Sequence, residues 1–277
     1  MTASSWPHWG RQTLNVARFE IRRILAGRRW IVVFLLAWSL PALLLLQVSL
    51  IALFSDEGPA LAPETGQVFA GIFQSYILRL AVFFGCVIAF THLVRGDVLE
   101  KTLHYYFLAP VRREIVMAGK YLAGLVQVGV LFVPATVAGY VLIYVPTGSR
   151  ALEAHFAGGT GVADALAYAG ITLLGCVGYG AVFLLMGTLF RNPLLPAVAV
   201  FAWEGLNLFL PPVLQKISVI HYLQSLSPVP LPFGPLAVIT EPTSPWVSVP
   251  GMLLTTAAVL LLAAHRLKRA EVSYATD

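Results

Sequence analysis

Charge is what this chain has least of: charged residues make up 11% of its 277 positions, where a soluble globular domain carries roughly 25%. That scarcity excludes a domain with an ordinary solvated surface. Cysteine is nearly absent as well, with only Cys86 and Cys176. Both fall inside apolar runs, which excludes a disulfide framework and leaves them as small buried hydrophobes. The six histidines (His8, His92, His104, His155, His221 and His265) are scattered over separate segments, so neither an HExxH motif nor a close Cys/His metal cluster is present. No GxxxxGK[ST] loop cradles nucleotide phosphates, and no GxSxG elbow exposes a serine nucleophile. The first 29 residues hold six arginines and no apolar core, so no cleavable signal peptide is expected and the first span acts as its own insertion signal.

What is there is apolar. Hydrophobic residues make up 58% of the chain and the mean hydropathy is +0.80. About 20 apolar residues cross a hydrocarbon core of about 30 Å, and six segments meet or approach that length: 30–54, 69–94, 121–145, 165–190, 194–214 and 247–264. The fold class expected is an all-α integral membrane protein forming one transmembrane domain over residues 1–277. Pro41 and Pro134 lie inside spans, where kinks are expected and neighbouring helices can satisfy the freed carbonyls.

Basic residues set the orientation. Arg11, Arg18, Arg22, Arg23, Arg28 and Arg29 precede the first span; Arg95, Lys101, Arg112, Arg113 and Lys120 surround the loop after the second. With Arg191, Arg266, Lys268 and Arg269, fifteen of the eighteen basic residues fall on one side. By the positive-inside rule both termini are cytoplasmic. The net charge of +5 does not indicate nucleic acid, because the basic residues hug helix ends rather than forming one face. Attraction to anionic lipid accounts for it.

Two stretches outside the spans carry pattern. Residues 11–29 place Leu14, Ala17, Ile21, Ile24 and Leu25 at helical spacing opposite Arg11, Arg18, Arg22 and Arg29, as in an amphipathic helix lying in the membrane interface. Gly27 allows the bend into the first span. Residues 211–246 hold short apolar helical patterns broken by clustered prolines, the pattern of an extracytoplasmic re-entrant hairpin.

Charges inside spans are expensive and mark function by default. Arg79 enters the second span and Glu204 the fifth; at 1.5 Å per residue their depths differ by under about 5 Å. The two are expected to pair or to share one polar track, either as a translocation feature or as a buried salt bridge that fixes helix register.

The densest polar stretch runs from Arg95 to Gly124, with a cytoplasmic loop over 95–120. A short helix over Leu99–Leu108 fits it, with Leu99, Leu103, Tyr106 and Phe107 apolar and Glu100, Lys101 and His104 polar, ended by Pro110. The sequence LEKTLHYYFLAPVRREIVMAGKYLAG is similar to the loop after the second span in membrane subunits of type-2 ATP-binding-cassette (ABC) transporters, departing from it at Lys101, where that family often has glycine. Six spans, cytoplasmic termini, an amphipathic amino-terminal helix and a hairpin before the last span agree with the same family.

The resemblance implies a permease subunit of an ATP-driven exporter in the bacterial cytoplasmic membrane, dimeric with a second copy of itself or a related permease. It implies that the short helix docks on a separate ABC ATPase subunit through Leu103, Tyr106 and Phe107, with Leu99, Glu100, Lys101 and His104 alongside and Arg18, Arg22 and Arg23 as a second contact. It also implies that spans two and five border the pathway, beside Arg79 and Glu204. This chain would bind no cofactor; ATP and Mg belong to the partner, and membrane lipid surrounds the spans. The alternatives are an ATPase-independent carrier driven by an ion gradient through Glu204, or an integral membrane enzyme acting on lipid.

Overall fold

The computed structural model describes residues 6–54, 65–99, 112–190, 192–206, 214, 218–229 and 244–269. Among them every regular element is helical and there is no strand. An amino-terminal helix α1 (Trp6–Ala26) ends just before Gly27, and α2 (Arg29–Phe54) follows. Helix α3 (Thr65–Ile72), a π-helical segment (Phe73–Val82) and α4 (Phe83–Leu99) form one continuous rod. Next come α5 (Arg113–Tyr144), a 3₁₀ turn (Val145–Thr147), α6 (Ser149–Ala157) and α7 (Gly161–Leu189). The short helices α8 (Leu194–Leu206) and α9 (Val219–Ser225) precede α10 (Pro245–Arg269).

Five of these are long and apolar enough to cross a membrane: Arg29–Ile51, Thr65–Val94, Arg113–Thr147, Gly161–Leu189 and Pro245–Arg266. The chain is therefore a multi-pass membrane protein by length and composition. Helix α8 is apolar and is described over 13 residues, about 20 Å, with the rest of the expected 194–214 span largely outside the described residues. Both α2 and α5 continue through their prolines, Pro41 and Pro134.

The α3–α4 rod sits at the centre. Among lipid tails helices gain little by burying apolar surface, so small residues and interhelical hydrogen bonds hold them together. Phe90 of α4 lies between Gly124 of α5 and Gly180 of α7, where an added Cβ would come within 2.6 and 2.5 Å of its ring. The Thr136 and Thr172 hydroxyls, 3.1 Å apart, join α5 to α7. Tyr121 donates to the Val177 carbonyl at 2.9 Å, and the Ser39 and Tyr76 hydroxyls are hydrogen-bonded at 2.6 Å between α2 and the π-helical segment. Phe69, Phe73, Tyr140 and Tyr168 interlock edge-to-face at one end of the bundle. Cys86 and Cys176 are both buried and unbridged, as expected of small hydrophobes.

Helix α1 matches the amphipathic helix expected over 11–29, but the face it buries is offset. Leu14 and Leu25 are exposed, whereas Ala17 and Glu20 are buried against the bundle. Small Ala17 permits close approach, and Glu20, one turn on, finds a charged partner. Gly119 of α5 accommodates this contact: a Cβ there would lie 2.6 Å from Val16 and 3.0 Å from the Thr13 carbonyl oxygen.

The other surprise is α9. Ser218 bonds Glu204 and Val219 packs against Gly178, midway along α7, while Val229 lies against Gly66 in the first turn of α3. The segment therefore starts in the middle of the bundle and leads to the end where α3 begins.

Candidate functional site

Arg79 and Glu204 are brought together, but not carboxylate to guanidinium. Arg79 Nη1 donates to the backbone carbonyl of Glu204 at 3.5 Å. The Glu204 carboxylate turns the other way. Its Oε2 accepts from the Ser218 hydroxyl at 2.5 Å and from the Ile220 N–H at 3.1 Å, and its Oε1 accepts from the Val219 N–H at 3.1 Å. A carboxylate that is only 6% exposed thus satisfies the first, otherwise orphaned, amides of α9. Position 204 does structural work: it pins a short helix inside the bundle.

Arg79 is left with more donors than partners. Its Nε and Nη2 are buried and have no hydrogen-bond partner among the described residues. It stands in the π-helical segment, a geometry that recurs at functional positions because the wider turn displaces side chains from their α-helical register. Tyr179, also buried with its hydroxyl unbonded among the described residues, is within electrostatic range of the guanidinium. The arrangement offers a cation and unused donors to an anionic or carbonyl-bearing group in the membrane interior.

At the end of the bundle where α5 begins, α1 is clamped to the first turns of α5. Lys120 and Glu20 form an ion pair, with Lys120 3% and Glu20 0% exposed. Arg23 stands 3.7 Å from the same carboxylate. The Arg112 guanidinium lies 4.6 Å over the Trp9 ring, a cation–π contact at the point where the chain leaves the loop and enters α5. Sequence reasoning counted Lys120 as one more basic loop residue and passed over Glu20. A signal was available: Glu20 shares one helical stripe with Ala17 and Ile24, an acid on the buried side of an otherwise basic helix.

Of the residues proposed to contact an ATPase, Glu100, Lys101, Leu103, His104, Tyr106 and Phe107 lie outside the described residues, and Leu99 is described as the end of α4. Arg18 and Arg22 are exposed on α1. Arg23 instead faces inward, toward Glu20 and a small cavity. Between α5 and α10 there opens an apolar cleft of about 1180 Å³, walled by Met117, Tyr121, Leu122, Leu260 and Leu261, with Glu114 and His265 at its rim. Among the described residues no group of His, Cys, Asp and Glu could hold a metal ion. In comparisons with known proteins the chain matches no family model and no curated sequence.

Proposed function

We propose that this chain is the transmembrane permease subunit of an ATP-driven ABC exporter, working as a dimer and coupled through the 95–120 loop to separate ATPase subunits that bind ATP and Mg. The observation that carries the reading is α5. It spans 32 residues, about 48 Å, against a hydrocarbon core of about 30 Å. It therefore extends well beyond the bilayer at its start, as one rod that begins where the loop ends. With α1 fastened along those first turns through Glu20 and Lys120, a force applied to the loop or to α1 moves the whole rod. The basic end of the bundle is read as cytoplasmic from its lysines and arginines.

A sixth crossing fits the same reading. The end of α7 is beside Thr91 and Val94 of α4 through Gly187, at the basic pole. Helix α10 has His265, near its carboxy-terminal end, on the same cleft as Glu114 in the first turn of α5, which puts its carboxy-terminal half toward that pole and its start toward the opposite one. This supports reading the chain between Leu189 and Pro245 as the sixth crossing, with α8 as its apolar part and α9 as one arm of the proposed re-entrant hairpin.

The ion-gradient alternative requires a Glu204 carboxylate free to exchange protons. Three hydrogen bonds engaged in holding α9 argue against it. Arg79, whose Nε and Nη2 have no partner among the described residues, is the better candidate for contact with cargo. Affinity purification from the native host tests the proposal: an ATPase should co-purify with the intact chain and be lost on Tyr106→Asp or Phe107→Asp. Recovery of a stable chain that transports with no ATPase would refute it.

A further inference from the structure

Uncharged polar side chains are also costly inside a lipid-embedded bundle, and the two buried glutamines among the described residues, Gln74 and Gln224, lie on elements that pack together. Gln74 stands in the π-helical segment five positions before Arg79, about one turn of such a helix and so close to the same side. Gln224 is on α9, six positions beyond Ser218, toward the end of the bundle where α3 begins. Tyr168 and Tyr179 of α7 are 11 positions apart, about three turns and about 16 Å along one face. The three elements meet at Gly175 of α7, where an added Cβ would lie 3.3 Å from Leu223 of α9, 3.5 Å from Val82 and 3.7 Å from Leu78. Phe73 packs edge-to-face on Tyr168, and Ser227 stands beside the Tyr168 hydroxyl. Polar positions are thus strung from Arg79 and Tyr179 in mid-bundle, past Gln74 and Gln224, to Tyr168 and Ser227.

Burial here comes without full hydrogen bonding. Gln74, Gln224 and Tyr179 are each no more than 5% exposed. Yet Gln74 Oε1, Gln224 Nε2, the Tyr179 hydroxyl and Arg79 Nε and Nη2 have no hydrogen-bond partner among the described residues. Water or a ligand completes such atoms in native proteins, and in membrane bundles polar side chains line wet cavities and substrate paths. The mixture of donors and acceptors along the row suits water. At the inner end Arg79 adds donors alone, and Nε with Nη2 is the edge of a guanidinium that forks onto the two oxygens of an oxyanion. The nearby Glu204 carboxylate balances the charge of Arg79 but not those donors, because it is turned to Ser218, Val219 and Ile220. Leu78, Val82 and Leu223 supply apolar wall between the polar positions. We propose that the π-helical segment, α7 and α9 enclose a hydrated track within a single chain, leading to Arg79 from the end where α3 begins, and that its inner end holds the oxyanion of an amphiphilic cargo. The oxyanion half rests on the reading of Arg79 as the cargo contact; neither half needs an ATPase, so failure here would leave the coupling proposal untouched.

The test uses the full chain in lipid nanodiscs, where both ends of the bundle meet water. Hydroxyl-radical footprinting of the unaltered protein should oxidise Tyr168 and Tyr179 while Phe90 and Phe132, equally buried, stay unmodified. Equal protection of all four rings would overturn the hydrated track. In a background carrying Cys86→Ala and Cys176→Ala, Gln224→Cys should react with the anionic sulfonatoethyl methanethiosulfonate about tenfold faster than with its trimethylammonium counterpart, as in a cleft that focuses the field of one cation. Gln74→Cys should behave alike and serves where Gln224→Cys does not fold. Arg79→Gln should abolish the preference; equal rates with Arg79 in place, or a preference that survives its removal, would overturn the oxyanion site. Leu80→Cys, beside Arg79 but on the outer surface, should react with neither reagent, and labelling there as fast as at Gln224→Cys would overturn the track. Dodecyl phosphate should slow the anionic labelling and inorganic phosphate should not; protection by inorganic phosphate alone would overturn the amphiphile in favour of a free anion.

Discussion

The Glu20–Lys120 pair makes the sharpest energetic prediction. Both side chains are almost wholly removed from solvent, at 0% and 3% exposure, so removing one partner leaves a buried charge without its main counter-charge. Such losses cost about 3–5 kcal/mol, whereas replacing both partners by apolar groups of similar size is often neutral. The two single variants should differ. Glu20→Gln removes the carboxylate paired with the Lys120 ammonium inside the helix contact and should show the larger cost. Lys120→Met leaves Glu20 with Arg23, 3.7 Å away, and should cost less, about 2–3 kcal/mol by the same reasoning. Glu20→Gln combined with Lys120→Met should recover much of the loss, giving a coupling energy above about 1.5 kcal/mol in a double-mutant cycle. Unfolding by denaturing detergent titrated into mixed micelles reads all four proteins. Single variants within about 0.5 kcal/mol of wild type, or losses that simply add, would refute the latch and with it the mechanical role given to α1.

Two further outcomes follow from the geometry. Glu204→Ala removes the acceptor for the Ser218 hydroxyl and the Val219 and Ile220 amides, and at about 1–3 kcal/mol for each buried donor left unsatisfied it should lower thermal stability by several degrees. Glu204→Gln, which keeps one acceptor, should lose less; equal loss in a thermal scan would contradict the capping role. Gly180→Ala brings a Cβ to 2.5 Å from the Phe90 ring and should destabilise by about 1–3 kcal/mol through overpacking. Gly180→Ala combined with Phe90→Leu should partly recover in the same assay.

Much of the architecture was legible in the sequence, but not the contacts that join its helices. Helices α2, α4, α5, α7 and α10 fall where apolar runs were found, because membrane solvation acts on each segment separately. The break after α1 appears at Gly27. The boundary of α5 was less legible: hydropathy starts the span at Tyr121, but the helix begins at Arg113, since a helix outside lipid need not be apolar. Arg79 and Glu204, expected from residue count along their helices to pair or share one track, do meet, through the Glu204 backbone carbonyl. Which atoms meet does not follow, and the carboxylate bonds a segment 14 residues further along that depth arithmetic never considered. Glu20 and Lys120, 100 positions apart, could be joined only by the folded bundle.

The sequence alone determined that this is a helical multi-pass membrane protein with a basic pole and an amphipathic amino-terminal helix, because transfer into lipid and helical periodicity are local properties of a segment. Only the tertiary structure decided which face of α1 is buried, that Glu204 holds α9 while Arg79 keeps donors unused among the described residues, and that three arginines and a histidine gather at the α1–α2 elbow. Those outcomes depend on which helices become neighbours and on how closely glycines such as Gly119, Gly124 and Gly180 allow them to approach. No single segment encodes that choice; the packing of all of them does.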